Sequence, residues 1–282
     1  VLGLARDVTD RRRLEGDLVR AAFHDALTGL PNRLHFRDRV EHAVARASRG
    51  APATVLYLDL DDFKAVNDRL GHAFGDRLLQ EVAGRIVDAT RAADTVARLG
   101  GDEFAVLLEG ATAAEASAAA GRIVDALATP LSIDGSVVHV TASIGAATAR
   151  PGDSADDLLR NADVAMYRAK EGGKRRVEVF EPQMRVTVLE RLELAADLRG
   201  AAERGELRVL YQPVVDLATG RLRGAEALAR WHHPRRGMVM PASFIPLAEE
   251  SGAILALGPW VLATALRDLR QWHDAGAADL TI

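Results

Sequence analysis

Short apolar runs alternate along this chain with longer segments in which apolar residues recur every three or four positions. Strand patterns sit near residues 54–60, 95–99, 104–108 and 137–147, each short and bounded by turn-forming residues. Helical spacing covers roughly 34–48, 76–90, 113–128 and 155–170. The Ala-rich stretch 111–120 fits helix better than low complexity, and Gly172-Gly173 closes the last of these helices. Such alternation predicts an α/β fold, a sheet flanked by helices. Further on, Leu189, Leu192, Leu194 and Leu198 predict another helix. Arg208 to Asp216 reads as a strand, followed by a turn at Thr219-Gly220. At the other end, Val1 to Thr9 alternates weakly, and Leu14, Leu18 and Ala21 form a helical stripe. That stripe fits either a capped linker helix or a short coiled coil. No internal repeat is present.

The two runs within 96–108 enclose Gly100-Gly101, with Asp102 and Glu103 directly after. Apolar runs parted by paired glycines predict a β-hairpin whose tip lets a bulky ligand approach. A solvated turn is the plain alternative for these four residues alone. A second acidic group, Asp59-Leu60-Asp61-Asp62, closes the apolar run Val55-Leu56-Tyr57-Leu58. Alternation places Asp59 and Asp61 on one strand face, and like charges at the end of a buried strand need a compensating cation. Mg²⁺ suits such oxygen ligands and usually takes one or two carboxylates plus substrate phosphates. Asp59 and Asp102 share one ion if the hairpin lies beside this strand. Helix capping by Asp61 or Asp62 is the competing explanation for one of the acids.

These residues together resemble the GGDEF family of diguanylate cyclases. Residues 25–33 (DALTGLPNR) look like the family's opening segment, and 59–68 (DLDDFKAVND) like its metal and guanine segment. Gly71-His72 and Gly75-Asp76 follow at the family's spacing, and Gly100 to Phe104 spells the signature. Asn161-Ala162-Asp163, Met166-Tyr167 and Ala169-Lys170 resemble its closing helix. Five ordered motifs are far more specific than any one of them.

The resemblance implies a central mixed sheet flanked by helices, like the palm of nucleotidyl cyclases, and the joining of two GTP into cyclic di-GMP. Asp59 and Asp102 would hold Mg²⁺ or Mn²⁺ near the Leu60 carbonyl. Asn67 and Asp76 would read guanine. Asp62, Phe63, Lys64, Gly100, Gly101, Lys170 and Lys174 would line the nucleotide, with Lys174 standing where many members have arginine and lacking its bidentate fork. Glu103 or Asp102 would activate the 3′-hydroxyl. Arg91 and Asp94 stand at the spacing of the family's inhibitory product site, with Arg122 as a second arginine; an exposed ion pair at a helix end is the ordinary alternative. The product joins two GTP molecules, so a homodimer is implied. The other reading is a non-catalytic module that binds GTP or cyclic di-GMP and regulates a phosphodiesterase in the full-length protein.

Composition narrows the classes without naming one. The chain has 282 residues, 48% hydrophobic and 27% charged, enough for two domains. A net charge of −4 points to no nucleic-acid partner. The lack of cysteine is compatible with the expected cytoplasmic location, and no apolar run reaches transmembrane length. GxxxxGK[ST], GxGxxG and HExxH are all missing, and the His232-His233 pair reads as a polar loop. The parent protein is free to carry an anchor upstream.

Two domains preceded by a short tail are expected. Residues 1–22 resemble the tail of a PAS sensor followed by a linker helix, 23–182 the cyclase domain, and 183–282 the opening of an EAL phosphodiesterase domain. The last resemblance rests on Tyr211-Gln212-Pro213, on Glu226-Ala227-Leu228 and on residues 241–252 (PASFIPLAEESG). It implies Glu226 as a metal ligand and Gln212 and Arg230 as substrate contacts. An EAL domain is a TIM barrel, which eight strands must close. The chain ends after the first few, so phosphodiesterase activity is expected only from a longer parent.

Overall fold

The computed structural model describes residues 22–282. The expected PAS-like tail and the stripe at Leu14 to Ala21 lie outside the described residues. The chain divides into two compact units, one ending at Arg185 and the other running from Val186 to Ile282.

The first unit is built on a five-stranded sheet in the order β2-β3-β1-β6-β7. Its strands are β1 (Ala53–Leu60), β2 (Thr95–Gly100), β3 (Glu103–Glu109), β6 (Ala142–Thr148) and β7 (Val177–Val179). A separate two-stranded ribbon joins β4 (Leu131–Ile133) to β5 (Ser136–Val138). β1 is central and buried at every position, antiparallel to β3 on one side and β6 on the other, while β7 runs parallel to β6. A mixed sheet with helices on both faces is the expected α/β class.

Helix α1 (Arg33–Ala47) and helix α5 (Ala155–Glu171) cover one face of the sheet, where Phe36, Val40, Leu158 and Met166 pack on Val55, Tyr57, Ala105 and Leu107. Helix α3 (His72–Ala89) and helix α4 (Ala113–Ala128) cover the other, where Leu78, Val82, Ile86 and Ile123 meet Leu56, Leu58, Phe104 and Val106. The alternation of β1 therefore sends even positions to one core and odd positions to the other. Asp59 continues the odd series, on the α5 side. At Gly145 the backbone of α5 touches the sheet: a Cβ there would stand 2.0 Å from the Ala162 carbonyl oxygen and 2.1 Å from the Met166 nitrogen. α4 and α5 open with complete capping boxes, Thr112 with Glu115 and Ser154 with Asp157.

Two boundaries differ from the sequence expectation. The helix expected over 76–90 begins earlier, at His72, and is preceded by a separate short helix, α2 (Phe63–Leu70). Gly71 parts the two with φ +84°, a conformation that breaks helix and suits only glycine well. The strand expected over 137–147 is divided between β5 and β6.

The second unit contains an antiparallel sheet ordered β10-β9-β8, made of β8 (Leu207–Val215), β9 (Leu222–His233) and β10 (Gly237–Val239). Helix α6 (Pro182–Leu198) runs across the division between the units, and α7 (Pro241–Glu250) and α8 (Ile254–Asp274) complete the fold. Leu198, Leu207, Trp231, Phe244 and Leu247 form its core. Thr281 makes a parallel bridge to Gly224, and no closed barrel forms among the described residues. The His232-His233 pair, expected in a polar loop, ends β9 instead. His233 is buried, its Nδ1 accepting from the Arg235 and Arg236 amides and its Nε2 facing Asp197 at 3.0 Å. No helix among the described residues is long and apolar enough to cross a membrane.

Candidate functional site

Antiparallel pairing of β1 with β3 sets Asp59 directly opposite Glu103. The Leu60 amide donates to the Asp102 carbonyl at 3.3 Å, so the hairpin tip and the end of β1 form one edge. The tip itself turns on Gly100 and Gly101, with φ +139° and +53°, after a register shift between Arg98 and Gly100. The Gly100 angle suits glycine alone, and the Gly101 angle is left-handed backbone that glycine adopts most readily.

Asp59 is 8% exposed. Burial pushes its carboxyl up, opposed by the Lys170 ammonium, which lies 2.8 Å from Oδ2; the charges of Asp102 and Glu103 push it further up. Lys170 reaches it from the last turn of α5. On the same face, Tyr57 Oη and Arg33 Nη2 both donate to Glu103 Oε2 at 3.0 Å. Burial and the Glu103 charge raise the Tyr57 hydroxyl far above its ordinary value, so it stays a donor. Asp163 on α5 is also pushed up, by desolvation and then by Glu103.

The other acids of the 59–62 cluster have different neighbours. Asp61 accepts from Thr141 Oγ1 and Ser143 Oγ, each at 2.7 Å, and from the Arg175 amide at 3.2 Å. It ties β1 to the segment entering β6 and has little capacity left. Asp62 occupies the N-cap position of α2, but at φ +58° its side chain caps nothing. It instead faces Lys174 at 2.7 Å, and that contact raises the Lys174 ammonium. Capping therefore accounts for none of these carboxylates.

Phe63 is half-buried and Lys64 exposed, both on the first turn of α2. Asn67 sits one turn later, its Oδ1 buried and without a hydrogen-bond partner among the described residues. Asp76 is exposed on the first turns of α3, beside Gly75. Arg91 lies beyond the end of α3; its guanidinium faces Glu115 at 3.3 Å and its amide donates to Asp94 Oδ2 at 2.9 Å. Arg122 donates to the Ala89 carbonyl at 3.2 Å, which brings it to the same end of α3. In the second unit Gln212 and Glu226 face each other across β8 and β9, and Arg230 follows Glu226 on the same side of β9.

Sequence reasoning missed the supports of the site. Tyr57 was legible in principle, since alternation puts it on the Asp59 face. Arg98 was not. Its Nη1 bonds both oxygens of Asp25 at 3.0 and 3.1 Å, and its Nε and Nη2 bond the Gly101 carbonyl at 3.1 and 2.8 Å. That clamp joins the 25–33 segment to the signature turn.

A family model described as diguanylate cyclase, GGDEF domain, matches residues 22–176, and one described as EAL domain matches 195–282. The bifunctional diguanylate cyclase/cyclic di-GMP phosphodiesterase MucR of Pseudomonas aeruginosa is 46% identical over 97% of this chain and 40% of its own length. The cyclic di-GMP phosphodiesterase PdeR of Escherichia coli is 41% identical over 96% of this chain and 41% of its own length. The chain thus spans about two fifths of these relatives. Among solved structures, the GGDEF domain of YfiN from Pseudomonas aeruginosa superposes with TM-score 0.57 at 41% identity, over 59% of this chain and 99% of that one. The coiled coil and GGDEF domain of DgcB from Caulobacter crescentus, solved in complex with c-di-GMP, gives TM-score 0.57 at 32% identity, over 61% and 93%. With the signature on a β1–β3 edge, a matching family model over more than half its length and these relatives, the chain belongs to the GGDEF family and carries EAL-domain sequence after it.

Proposed function

We propose that residues 23–182 act as a diguanylate cyclase, joining two GTP into one cyclic di-GMP and two pyrophosphates. The observation that carries this reading is the convergence of Asp59, Asp102 and Glu103 on one edge, with Lys170 on Asp59. In each of two steps a 3′-oxygen bonds to an α-phosphorus, the bond to the β-phosphate oxygen breaks, and the hydroxyl proton leaves. Charge grows on phosphate oxygens, so positioning and cationic groups supply most of the catalysis.

The residues fit a divalent cation, Mg²⁺ or Mn²⁺. A buried carboxylate whose own environment penalises its charge already draws an ammonium to 2.8 Å. Among the described residues no group of three or more His, Cys, Asp or Glu forms a protein cage. A cation held by Asp59, Asp102 and the Leu60 carbonyl, with phosphates completing its shell, needs none. When bound, it neutralises the triphosphate and the departing pyrophosphate. Lys170 and Lys174 then hold phosphate charge, and Asn67 and Asp76 read the base. Glu103 is the better oriented of the two acids at the tip: Tyr57 and Arg33 hold Oε2, leaving Oε1 to take the 3′-hydroxyl proton. Each site accommodates one GTP, so two chains must face each other. Product held by Arg91, Asp94 and Arg122 limits the rate.

The test is incubation with GTP and Mg²⁺ and chromatography of the nucleotides. Cyclic di-GMP and pyrophosphate are expected, with specific activity rising with protein concentration. GTP returned unchanged, with nucleotide binding intact, favours the second reading, a regulatory binding module. That reading draws its support from a 41% identical relative named as a phosphodiesterase.

A further inference from the structure

Gly75 lies inside α3, buried, with a backbone conformation open to any residue. Glycine there costs the helix about 1 kcal/mol relative to alanine, so the position has another reason to lack a side chain. A Cβ on Gly75 would stand 1.9 Å from Asn67 Oδ1, 3.0 Å from Asn67 Cγ and 3.2 Å from Phe63 Cζ. The missing methyl is the space that the Asn67 amide fills. The same amide oxygen is buried without a partner among the described residues, a condition folded proteins rarely tolerate without a ligand or water to relieve it.

We infer that Gly75 is a positioning residue for purine discrimination: its bare Cα lets the Asn67 amide lie where a guanine edge meets it. The inference rests on the proposed reading of Asn67 as a base reader and extends it to a residue that touches no substrate. Guanine carries two neighbouring donors, N1–H and N2–H₂, for an amide oxygen and for the Asp76 carboxylate beside Gly75. Adenine presents an acceptor at N1 and nothing at C2, so the orphaned oxygen stays unpaired. A methyl at position 75 displaces Asn67 rather than the helix, because a side chain rotates more easily than α3 shifts. The fold then survives while the reading head is lost.

Four proteins test this: wild type, Gly75→Ala, Asn67→Ala and the double variant. Each is titrated calorimetrically with the non-reacting α,β-methylene analogues of GTP and ATP, and its thermal unfolding is recorded. Gly75→Ala should weaken the GTP analogue about 5- to 150-fold, the cost of one unmade buried hydrogen bond. The ATP analogue should be nearly unaffected, and the melting temperature equal or higher. In turnover the loss should appear in KM and not in kcat at saturating GTP. Added to Asn67→Ala, the Gly75 change should alter binding less than about twofold, since its severe clash is gone and Phe63 Cζ, at 3.2 Å, has only to give slightly. Wild-type GTP-analogue affinity in Gly75→Ala, beside a clear loss in Asn67→Ala, overturns the inference and leaves the base reading standing. Wild-type affinity in Asn67→Ala overturns both. A double variant much weaker than Asn67→Ala assigns Gly75 to helix packing and overturns the inference too.

Discussion

Replacing Asp25 with asparagine should loosen the signature turn by a predictable amount that depends on pH. Asp25 takes the Arg98 Nη1 on both oxygens, while Thr28 donates its amide and hydroxyl to Oδ1 at 2.9 and 2.7 Å. Asn keeps an oxygen for Thr28 but loses the charge and the second oxygen that face Arg98. A hydrogen bond to a charged group contributes about 1.5–3 kcal/mol. The two side chains keep 11% and 20% of their surface exposed, and solvent screening lowers the expected loss to about 1–2 kcal/mol. For a unit of this size that is a fall in Tm of about 2–8 °C. Burial raises the Asp25 carboxyl, but the bonds from Thr28 and Arg98 outweigh it and hold it below the ordinary value. The folded pKa is thus the lower one, so the stabilisation is full above the unfolded value, about 4, and is lost as pH falls through the folded value. Melting curves by circular dichroism between pH 7 and pH 3 should show a gap between the two proteins that closes in acid. Equal melting temperatures at pH 7, or a gap that persists unchanged at pH 3, would refute the clamp.

Three further outcomes are expected. Asp102→Asn should abolish cyclic di-GMP synthesis with an unchanged circular dichroism spectrum; wild-type turnover removes Asp102 from the site. Arg91→Ala should keep the initial velocity but postpone the plateau in product, and progress curves that level off at the wild-type product concentration would rule out inhibition there. Gly145→Ala should cost about 3 kcal/mol or more, because the new Cβ meets the backbone of α5 at 2.0 Å rather than a movable side chain. An unchanged denaturation midpoint would show that α5 gives way freely.

The elements with strong pattern were legible: β1 and β3 announce themselves as short continuous apolar runs, buried on both faces, and the helices α1, α4 and α5 as stripes with one buried face. What sequence pattern could not show was pairing. Asp59 and Asp61 looked equivalent by alternation, yet the strand ends at Leu60 and the chain turns, so one acid meets Lys170 and the other is absorbed by Thr141, Ser143 and Arg175. His233 read as loop because its distant partner, Asp197, meets it only through the fold. The Gly71 break was obscured because apolar spacing continues across it while the backbone does not. The glycines at 75 and 145 look alike on paper; one makes room for a side chain, the other for a helix.

The central position of β1 has a consequence for how the molecule is made. Thr54 bonds Thr148 at a sequence separation of 94, and Asp61 reaches Thr141 and Ser143 at separations of 80 and 82. A ribosome has therefore finished α4 and the ribbon before one edge of β1 can be covered. Until then an apolar strand with unpaired amides stands open, the kind of surface that invites chaperones or self-association. Non-local pairing of this sort folds slowly. Closure by β6 is also the event that ties down Asp61 and brings α5, with Lys170, over Asp59. Truncations that stop before residue 148 should be insoluble rather than merely inactive, and the acidic edge should form in the same kinetic phase as the completed sheet.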